Sequence, residues 1–292
     1  MRNKLFVMSQ YLAPQLTLSR LAGRLADLEH LPPALRHRFI QWFINRYGVE
    51  MSEAEDPDFR NYPSFNSFFT RPLKTGARPI EEDSRALVSP VDGTISQLGK
   101  IDGGQIFQAK GHHFDLDTLL GGIRDLGKPF RNGQFMTIYL APRDYHRIHM
   151  PLAGRLTDMV YVPGKLFSVN PVTAANVPSL FARNERVVTL FETEQGPIGM
   201  VHVGAMIVGS VETVWAGIVA PGGTGGNGAR TVQHRQYTAD QDDVKLSKGA
   251  EMGRFRLGST VILLLPEGMA SWNDNLESGS TLRMGEAMAQ LK

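Results

Sequence analysis

Two patterns of hydrophobic and polar positions divide the chain. In residues 1–50, apolar residues recur every three to four positions, which predicts amphipathic helices on either side of Pro32-Pro33. The first set is Leu18, Leu21, Ala22, Leu25 and Leu28, and the second is Leu35, Phe39, Ile40, Phe43, Ile44 and Tyr47. From Leu87 onward, short apolar runs are separated by turn residues, which predicts strands.

The strand pattern continues almost to the end of the chain. The predicted strands are Thr94–Leu98, Gln105–Ala109, Phe135–Leu140, Leu156–Val162, Val187–Phe191, Ile198–Val203, Val208–Trp215 and Val261–Leu265. Glu194–Pro197 separates two of them and predicts a β-hairpin. Between the two patterns lie three aromatic residues within five positions, Phe65–Phe69, which predict a segment packed in the core. We therefore predict a helical segment at residues 1–60 and a β-rich domain at residues 61–292.

Composition excludes several classes of protein. The chain has 292 residues, of which 42% are hydrophobic and 21% charged, as in ordinary globular proteins. A net charge of +2 gives no global field that would favour nucleic acid. The absence of cysteine excludes disulfides, thiolate nucleophiles and zinc-thiolate sites. The sequence contains no run of 18 apolar residues that would predict a membrane-spanning helix, and no secretory signal is evident. We therefore expect a protein of the cytoplasm, free or on a membrane surface.

The charge of the helical segment differs from that of the rest. Residues 1–50 contain seven lysines and arginines but three acidic residues. Basic amphipathic helices can lie in an anionic lipid surface, with their apolar faces among the head groups. The same faces could instead pack on the protein's own core. Both interpretations hold if some faces turn inward and others outward.

The candidate nucleophile is Ser259. It follows Gly258, whose lack of a side chain permits a strained, exposed peptide bond, and it precedes a buried strand. The serine hydroxyl is close to the carbonyl of that bond, so the chain could cut its own backbone if a base were at hand. A simple tight turn into a core strand explains the same residues.

Two histidines supply candidate bases. His146 and His149 stand three residues apart after the strand Phe135–Leu140, and imidazole titrates near neutrality. Asp92 precedes Gly93 at a predicted turn, where a substitution should not unfold the protein. Asp144 is the only carboxylate near the histidines, so we predict no metal site. The glycine-rich stretch 221–228 lacks the Gly-Lys-Ser/Thr of a phosphate-binding loop.

An ordered set of short motifs gives the chain a family likeness. Together these motifs resemble bacterial phosphatidylserine decarboxylases, from about residue 5 to residue 290. They are Phe68–Leu73, Pro90–Gly93, Tyr145–Pro151, Phe181–Arg186, Val211–Gly217, Gly253–Phe255 and Leu257–Thr260. The resemblance implies an α+β fold with a mainly antiparallel β core and N-terminal helices against the membrane.

The resemblance also implies an enzyme that makes its own cofactor. Cleavage between Gly258 and Ser259 would convert Ser259 into a pyruvoyl group, which serves as the electron sink for decarboxylation. Asp92, His149 and Ser259 would form the triad that cleaves the chain, and His146 would lie near the substrate. In this scheme Asp92 fixes the tautomer of His149, which takes the proton from the Ser259 hydroxyl.

The implied substrate and partners follow from the same likeness. The enzyme would convert phosphatidylserine to phosphatidylethanolamine and carbon dioxide as a peripheral protein on the cytoplasmic side of the cell membrane. Its two self-cleaved chains would stay associated, and it would form a homodimer without nucleic acid.

Three alternatives remain open from the residues themselves. A serine hydrolase could use the same three residues on an external ester, although no Gly-x-Ser-x-Gly surrounds Ser259. A non-catalytic protein could bind lipid through the basic helices alone. A pyruvoyl enzyme could act on a soluble amino acid, but the N-terminal helices argue against it.

Overall fold

The fold is that of a computed structural model, which describes residues 7–11, 15–29, 31–205, 211–219, 231–256 and 259–292. Gly258, the glycine-rich stretch 221–228 and the side chain of Leu18 lie outside the described part. Residues 7–11 are helical. The helices that follow are α1 (Gln15–Asp27), α2 (Pro33–Tyr47), α3 (Phe65–Phe69), α4 (Leu116–Leu119), α5 (Pro171–Ala174) and α6 (Leu180–Arg183), with 3-10 turns at Phe59–Asn61 and Lys128–Phe130.

The strands all lie between residue 86 and residue 291. They are β1 (Ala86–Val88), β2 (Gly93–Lys100), β3 (Gln105–Ala109), β4 (His112–Asp115), β5 (Gln134–Leu140), β6 (Arg147–His149), β7 (Gly154–Val162), β8 (Arg186–Thr193), β9 (Gly196–Val203), β10 (Val211–Thr213), β11 (Gly217–Ile218), β12 (Gln233–Gln236), β13 (Lys245–Leu246), β14 (Glu251–Phe255), β15 (Ser259–Leu265), β16 (Ala270–Trp272), β17 (Thr281–Leu282) and β18 (Ala287–Leu291).

Two of the sheets position the candidate site. In the described residues, nine strands form the largest sheet, in the order β12-β7-β8-β9-β15-β5-β2-β17, with β13 also paired to β7. A four-stranded sheet has the order β11-β10-β14-β6. Every ladder between these named strands is antiparallel. The predicted α+β class with an antiparallel core is therefore confirmed.

Strand β15 lies between two hydrophobic cores. It pairs with β5 on one side and β9 on the other, and all seven of its residues are buried. Because side chains alternate along a strand, Val261 and Leu263 contribute to one core, whereas Ile262 and Leu264 contribute to the other. This explains why the sequence reads as a continuous apolar run rather than an alternating one.

The N-terminal helices pack on a third, aromatic core. Helix α2 begins with Pro33, whose fixed φ suits the first helical position, and ends at Gly48 with a left-handed φ of 69°. Its buried residues Ile40 and Phe43 belong to the same cluster as the aromatic residues of α3. The predicted packing of Phe65–Phe69 is confirmed, since Phe65, Phe68 and Phe69 are all buried. Helix α3 starts with a capping box, in which Ser64 and Ser67 exchange hydrogen bonds.

Candidate functional site

The candidate residues gather where β5 ends. The register pairs Ser259 with Leu140 on one side of β5 and Thr94 with Tyr139 on the other. Asp92, just before β2, and Ser259, at the start of β15, thus lie on opposite sides of the end of β5. A Cβ on Gly93 would lie 2.6 Å from the carbonyl oxygen of Tyr139, so this close approach requires glycine.

The segment after β5 brings both histidines to the same place. Strand β6 pairs with β14, and His149 lies opposite Glu251. The backbone amide of Phe255 donates to the carbonyl of His146 at 3.0 Å. Because β14 ends at Phe255 and β15 begins at Ser259, His146 lies beside the strand that leads to the serine.

Ser259 is wholly buried, with a relative exposure of 0%. Within the described part of the chain, its hydroxyl oxygen has no hydrogen-bond partner. Buried hydroxyls usually find one, because an unpaired buried polar group is costly. Thr260 and Thr137 also have buried hydroxyls without a partner among the described residues, so the feature that distinguishes Ser259 is its position directly after Gly258, at the first residue of β15.

His149 is held as a neutral imidazole whose Nε2 accepts a hydrogen bond from Tyr145 and, among the described residues, none from Ser259. Its Nδ1 lies 2.8 Å from the carbonyl oxygen of Gly249, which can only accept, so Nδ1 carries the proton. The hydroxyl of Tyr145 lies 3.1 Å from Nε2 and donates to it. Burial lowers the pKa of His149 below its usual range, which favours the neutral form that a base requires.

Asp92 lies near His149 but is engaged elsewhere. The guanidinium of Arg78 donates to both carboxylate oxygens, at 2.9 Å and 2.6 Å, and the Met284 amide donates to Oδ1 at 2.8 Å. Among the described residues, no hydrogen bond joins Asp92 to His149. The tautomer of His149 is thus fixed by the carbonyl of Gly249, and the direct bond implied by the resemblance is not formed. Asp92 also forms a largely buried ion pair with Arg78, so it is not only a turn residue.

His146 is more deeply buried than His149. Its relative exposure is 0%, its ring centroid lies 4.0 Å from that of Phe69, and its Nδ1 donates to the carbonyl of Asp144 at 2.8 Å. Burial lowers the pKa of His146 to about 3, so the ring is neutral at pH 7. Its Nε2 has no partner in the described structure. The lone pair of this nitrogen is therefore unused in the described structure.

A charged cavity of about 160 Å³ adjoins Asp92, Asp144 and Tyr145, whereas Ser259, His146 and His149 are not among its lining residues. Its lining includes both acidic and basic side chains. The lining residues are Gly48, Glu50, Glu53, Arg71, Leu73, Arg78, Asp92, Arg143, Asp144 and Tyr145. A volume of this size exceeds what one water needs, and the charged walls suit a polar ligand.

Sequence reasoning did not assign roles to Arg78, Tyr145 or Arg71. Tyr145 and Arg71 lie within the motifs that carry the resemblance. Their position as polar residues inside those motifs is the sequence signal that could have identified them. Arg78 lies in an irregular stretch between α3 and β1, where no periodicity marks it. Its importance follows only from its contacts with Asp92 and Glu53.

Comparison with known proteins decides the family. A family model described as phosphatidylserine decarboxylase matches residues 65–290, which is most of the chain. The chain belongs to the phosphatidylserine decarboxylase family. A second model, described as PSD, matches residues 5–48, so the N-terminal helices are also shared with known sequences.

Individual relatives of the phosphatidylserine decarboxylase family match over nearly their full length. A phosphatidylserine decarboxylase proenzyme of Marinobacter nauticus is 62% identical over 291 residues, covering 100% of this chain and 99% of the relative. Proenzymes of the same name from Hahella chejuensis and Pseudomonas aeruginosa are 53% and 54% identical, covering 99% of this chain and 94% and 97% of the relatives. The predicted family is thus confirmed.

Proposed function

We propose that this protein is a self-processing decarboxylase that converts phosphatidylserine to phosphatidylethanolamine and carbon dioxide. The buried, unpartnered hydroxyl of Ser259 carries the proposal. Membership of the family and the proenzyme names of its relatives support it. A serine hydrolase would use the same hydroxyl on an external ester, and the absence of Gly-x-Ser-x-Gly around Ser259 argues against that alternative.

Self-cleavage would begin at the bond between Gly258 and Ser259. The Ser259 hydroxyl oxygen attacks the Gly258 carbonyl carbon, and Nε2 of His149 takes the hydroxyl proton. Breaking the peptide C–N bond leaves an ester and a free amine on Ser259. Elimination then releases the Gly258 carboxylate and leaves dehydroalanine, which takes up water, loses ammonia and becomes pyruvoyl.

The residues around Ser259 fit a pyruvoyl group. A site that excludes water favours loss of the negative charge of a carboxylate, and the complete burial of Ser259 and His146 supplies such a site. The pyruvoyl group supplies the electron sink for decarboxylation. Nε2 of His146, which has no partner among the described residues, would hold or move a proton beside the reacting atoms. Asp92 would act through its negative charge, which raises the pKa of the buried His149 imidazole.

The N-terminal helices support a membrane role. Large apolar side chains that are exposed on this segment form one set, which we call the apolar patch: Met8, Tyr11, Leu21, Leu25, Leu28, Leu35, Phe39, Trp42 and Tyr47. Trp42 is 53% exposed although Phe43, its neighbour, is buried in the aromatic core. The same helices therefore face inward on one side and outward on the other. Arg24, Arg38 and Arg46 are exposed among the patch residues.

A patch of this kind suits the surface of an anionic bilayer. Apolar side chains would enter the acyl boundary and arginines would contact head groups. None of the described helices has the length and apolar character that crossing a bilayer requires. We propose that the protein is peripheral, on the cytoplasmic side of the cell membrane. The family resemblance also supports a homodimer in which each subunit keeps its two self-cleaved chains together.

Intact-mass measurement of the purified protein tests the proposed function. We expect two chains, 1–258 and 259–292, the smaller one lighter by one ammonia than a chain that begins with serine. The protein should release carbon dioxide from phosphatidylserine vesicles, and Ser259→Ala should remain one inactive chain. A single uncut chain with full activity would refute the proposal, and hydrolysis of esters by an intact Ser259 would favour the hydrolase.

A further inference from the structure

Arg71 is a buried cation without an anionic partner. It follows helix α3 and lines the charged cavity, yet its relative exposure is only 3%. Its Nε has no hydrogen-bond partner among the described residues, and Nη2 makes one long contact of 3.5 Å with the carbonyl of Arg143. The guanidinium carbon lies 5.6 Å from the ring centroid of Phe68. This ring contact orients the group but does not neutralise it.

Other arginines in similar settings are satisfied. Arg186 is 2% exposed, and its guanidinium donates to the carbonyls of Thr118, Leu119 and Asn184. Arg78, on the same cavity as Arg71, is paired with both Asp92 and Glu53. A guanidinium stays charged at any physiological pH, so a buried one normally has several acceptors. Arg71 departs from that rule at the wall of a cavity, where an incoming ligand could supply them.

The acidic residues of the cavity do not meet this need. Asp92 is bound by Arg78, and Glu53 is bound by Arg78 and Arg283. Asp144 accepts from the amide of Ala141 at 2.7 Å, and Glu50 accepts from the amide of Ser52 at 2.9 Å. These carboxylates already have donors, so the charge of Arg71 is available to an anion from outside the chain. The planar fork of a guanidinium matches two oxygens of a phosphate or carboxylate.

We propose that Arg71 binds the phosphodiester group of the phospholipid substrate. The inference rests on the proposed function, whose substrate carries two anionic groups. The carboxylate loses its charge as carbon dioxide leaves, so a buried cation on it would stabilise the substrate more than the transition state. The phosphodiester keeps its charge throughout, and binding it holds substrate and product alike. Arg71 is therefore a binding residue that contributes to affinity and leaves the chemical step unchanged.

The test compares substrate with product. Dihexanoylphosphatidylserine serves as substrate, and dihexanoylphosphatidylethanolamine, which keeps the phosphodiester but lacks the carboxylate, serves as competing inhibitor. In processed Arg71→Gln, KM and the inhibition constant should rise together by about tenfold to a hundredfold, with kcat nearly unchanged. Arg71→Lys should lie between, because it keeps the charge but loses the fork. Arg124→Gln, which removes a charge from an exposed side chain outside the cavity, is the matched control and should behave as wild type.

Each other outcome overturns the proposal. A rise in KM without a change in the inhibition constant would place the carboxylate on Arg71, and a fall in kcat alone would give Arg71 a role in the chemical step. Unchanged constants would show that Arg71 is only structural. Self-cleavage, followed by gel on the same samples, shows that each variant has folded.

Two further measurements keep the test independent of turnover and of the variants. Calorimetric binding of dihexanoylphosphatidylethanolamine to wild type and Arg71→Gln decides the role of Arg71 even if wild type released no carbon dioxide, a result that would refute the proposed function by itself. In the wild-type enzyme, glycerophosphoethanolamine should compete with the substrate. Ethanolamine, which lacks the phosphodiester, should not. Equal effects of the two soluble compounds would contradict a phosphodiester site even if no Arg71 variant folded.

Discussion

The hydroxyl of Tyr145 donates to Nε2 of His149 over 3.1 Å, the nitrogen that would receive the proton of Ser259. This hydrogen bond stabilises the neutral imidazole because a protonated Nε2 could not accept it. Tyr145 therefore helps to keep the proposed base unprotonated, at the cost of occupying its lone pair.

Tyr145→Phe should cleave itself, but with a shifted pH dependence. Loss of a hydrogen bond to the neutral ring raises the pKa of His149, so the acidic limb of the cleavage rate should move to higher pH by about half to one unit. Refolding of the uncleaved chain at a series of pH values, with cleavage followed on gels, measures this shift. An acidic limb that stays in place would show that the contact does not influence the base.

Replacement of each histidine separately should separate cleavage from decarboxylation. His149→Ala should block cleavage, because it removes the proposed base. His146→Ala should cleave at least partially and then decarboxylate poorly. Intact mass and carbon dioxide release are measured on the same preparations. Normal cleavage by His149→Ala would overturn its assignment as the base.

Asp92→Asn should weaken both folding and cleavage. The change removes one of the two carboxylates that Arg78 contacts, and we expect the free energy of unfolding to fall by about 1–3 kcal/mol. Cleavage should slow because the negative charge near His149 is lost. Chemical denaturation in a Ser259→Ala background, which stays one chain, measures the change in the free energy of unfolding.

Glu53→Gln is the matched control for Asp92→Asn. It removes the other carboxylate of Arg78 and should lower stability similarly while leaving the cleavage rate near that of wild type. Equal slowing of cleavage by both substitutions would mean that Asp92 acts only by holding Arg78.

Stability in acid should report on a buried histidine outside the proposed chemistry. His202 is almost fully buried, and burial lowers its pKa to about 3, so its ring is neutral in the folded protein. The unfolded chain binds this proton near pH 6.5, and the free energy of unfolding therefore falls between about pH 6.5 and pH 3 as pH decreases.

His202→Gln should reduce that dependence, by about 1.4 kcal/mol per pH unit between pH 6 and pH 4. Denaturation of the Ser259→Ala chain at several pH values measures it. An unaltered slope in His202→Gln would mean that the ring is protonated in the folded state.

Membrane binding should combine a salt-sensitive part and a salt-resistant part. Screening weakens the contacts of arginines with anionic lipid, each worth about 1 kcal/mol near the surface, but it does not affect burial of the apolar patch. High salt should therefore reduce sedimentation with anionic vesicles without abolishing it. Leu25→Asp with Trp42→Asp should release the protein while cleavage continues. If a form without the first helices folds, cleaves and still sediments like the whole protein, the patch is not the membrane contact.

The main strands could be predicted from sequence because their pattern is local. Phe135–Leu140 and Val261–Leu265 were predicted within two residues of β5 and β15, since continuous apolar runs mark strands buried on both faces. The hairpin of β8 and β9 followed from its turn residues and forms as expected. The helical periodicity of residues 15–47 also predicted α1 and α2.

The partners of Asp92 could not be predicted in the same way. Which cation reaches a carboxylate depends on the path of the chain between α3 and β1, and that path has no periodic signal. The amide of Met284 contacts Asp92 from 192 positions away in sequence. Such a contact is a consequence of tertiary structure, and local residue preferences carry no information about it.

The position of β15 determines what the processed protein can do after it unfolds. A chain cut before Ser259 would start with the strand that lies between β5 and β9, and its last strand, β18, pairs with β1 and β16. Separated, residues 1–258 would lose β15 and β17 from the largest sheet, and residues 259–292 would lose both strands that flank β15, so separation would disrupt both products. A pyruvoyl end cannot be joined again to residue 258. We therefore expect that only the uncut precursor folds efficiently. The mature enzyme should persist because it unfolds slowly, not because it can refold.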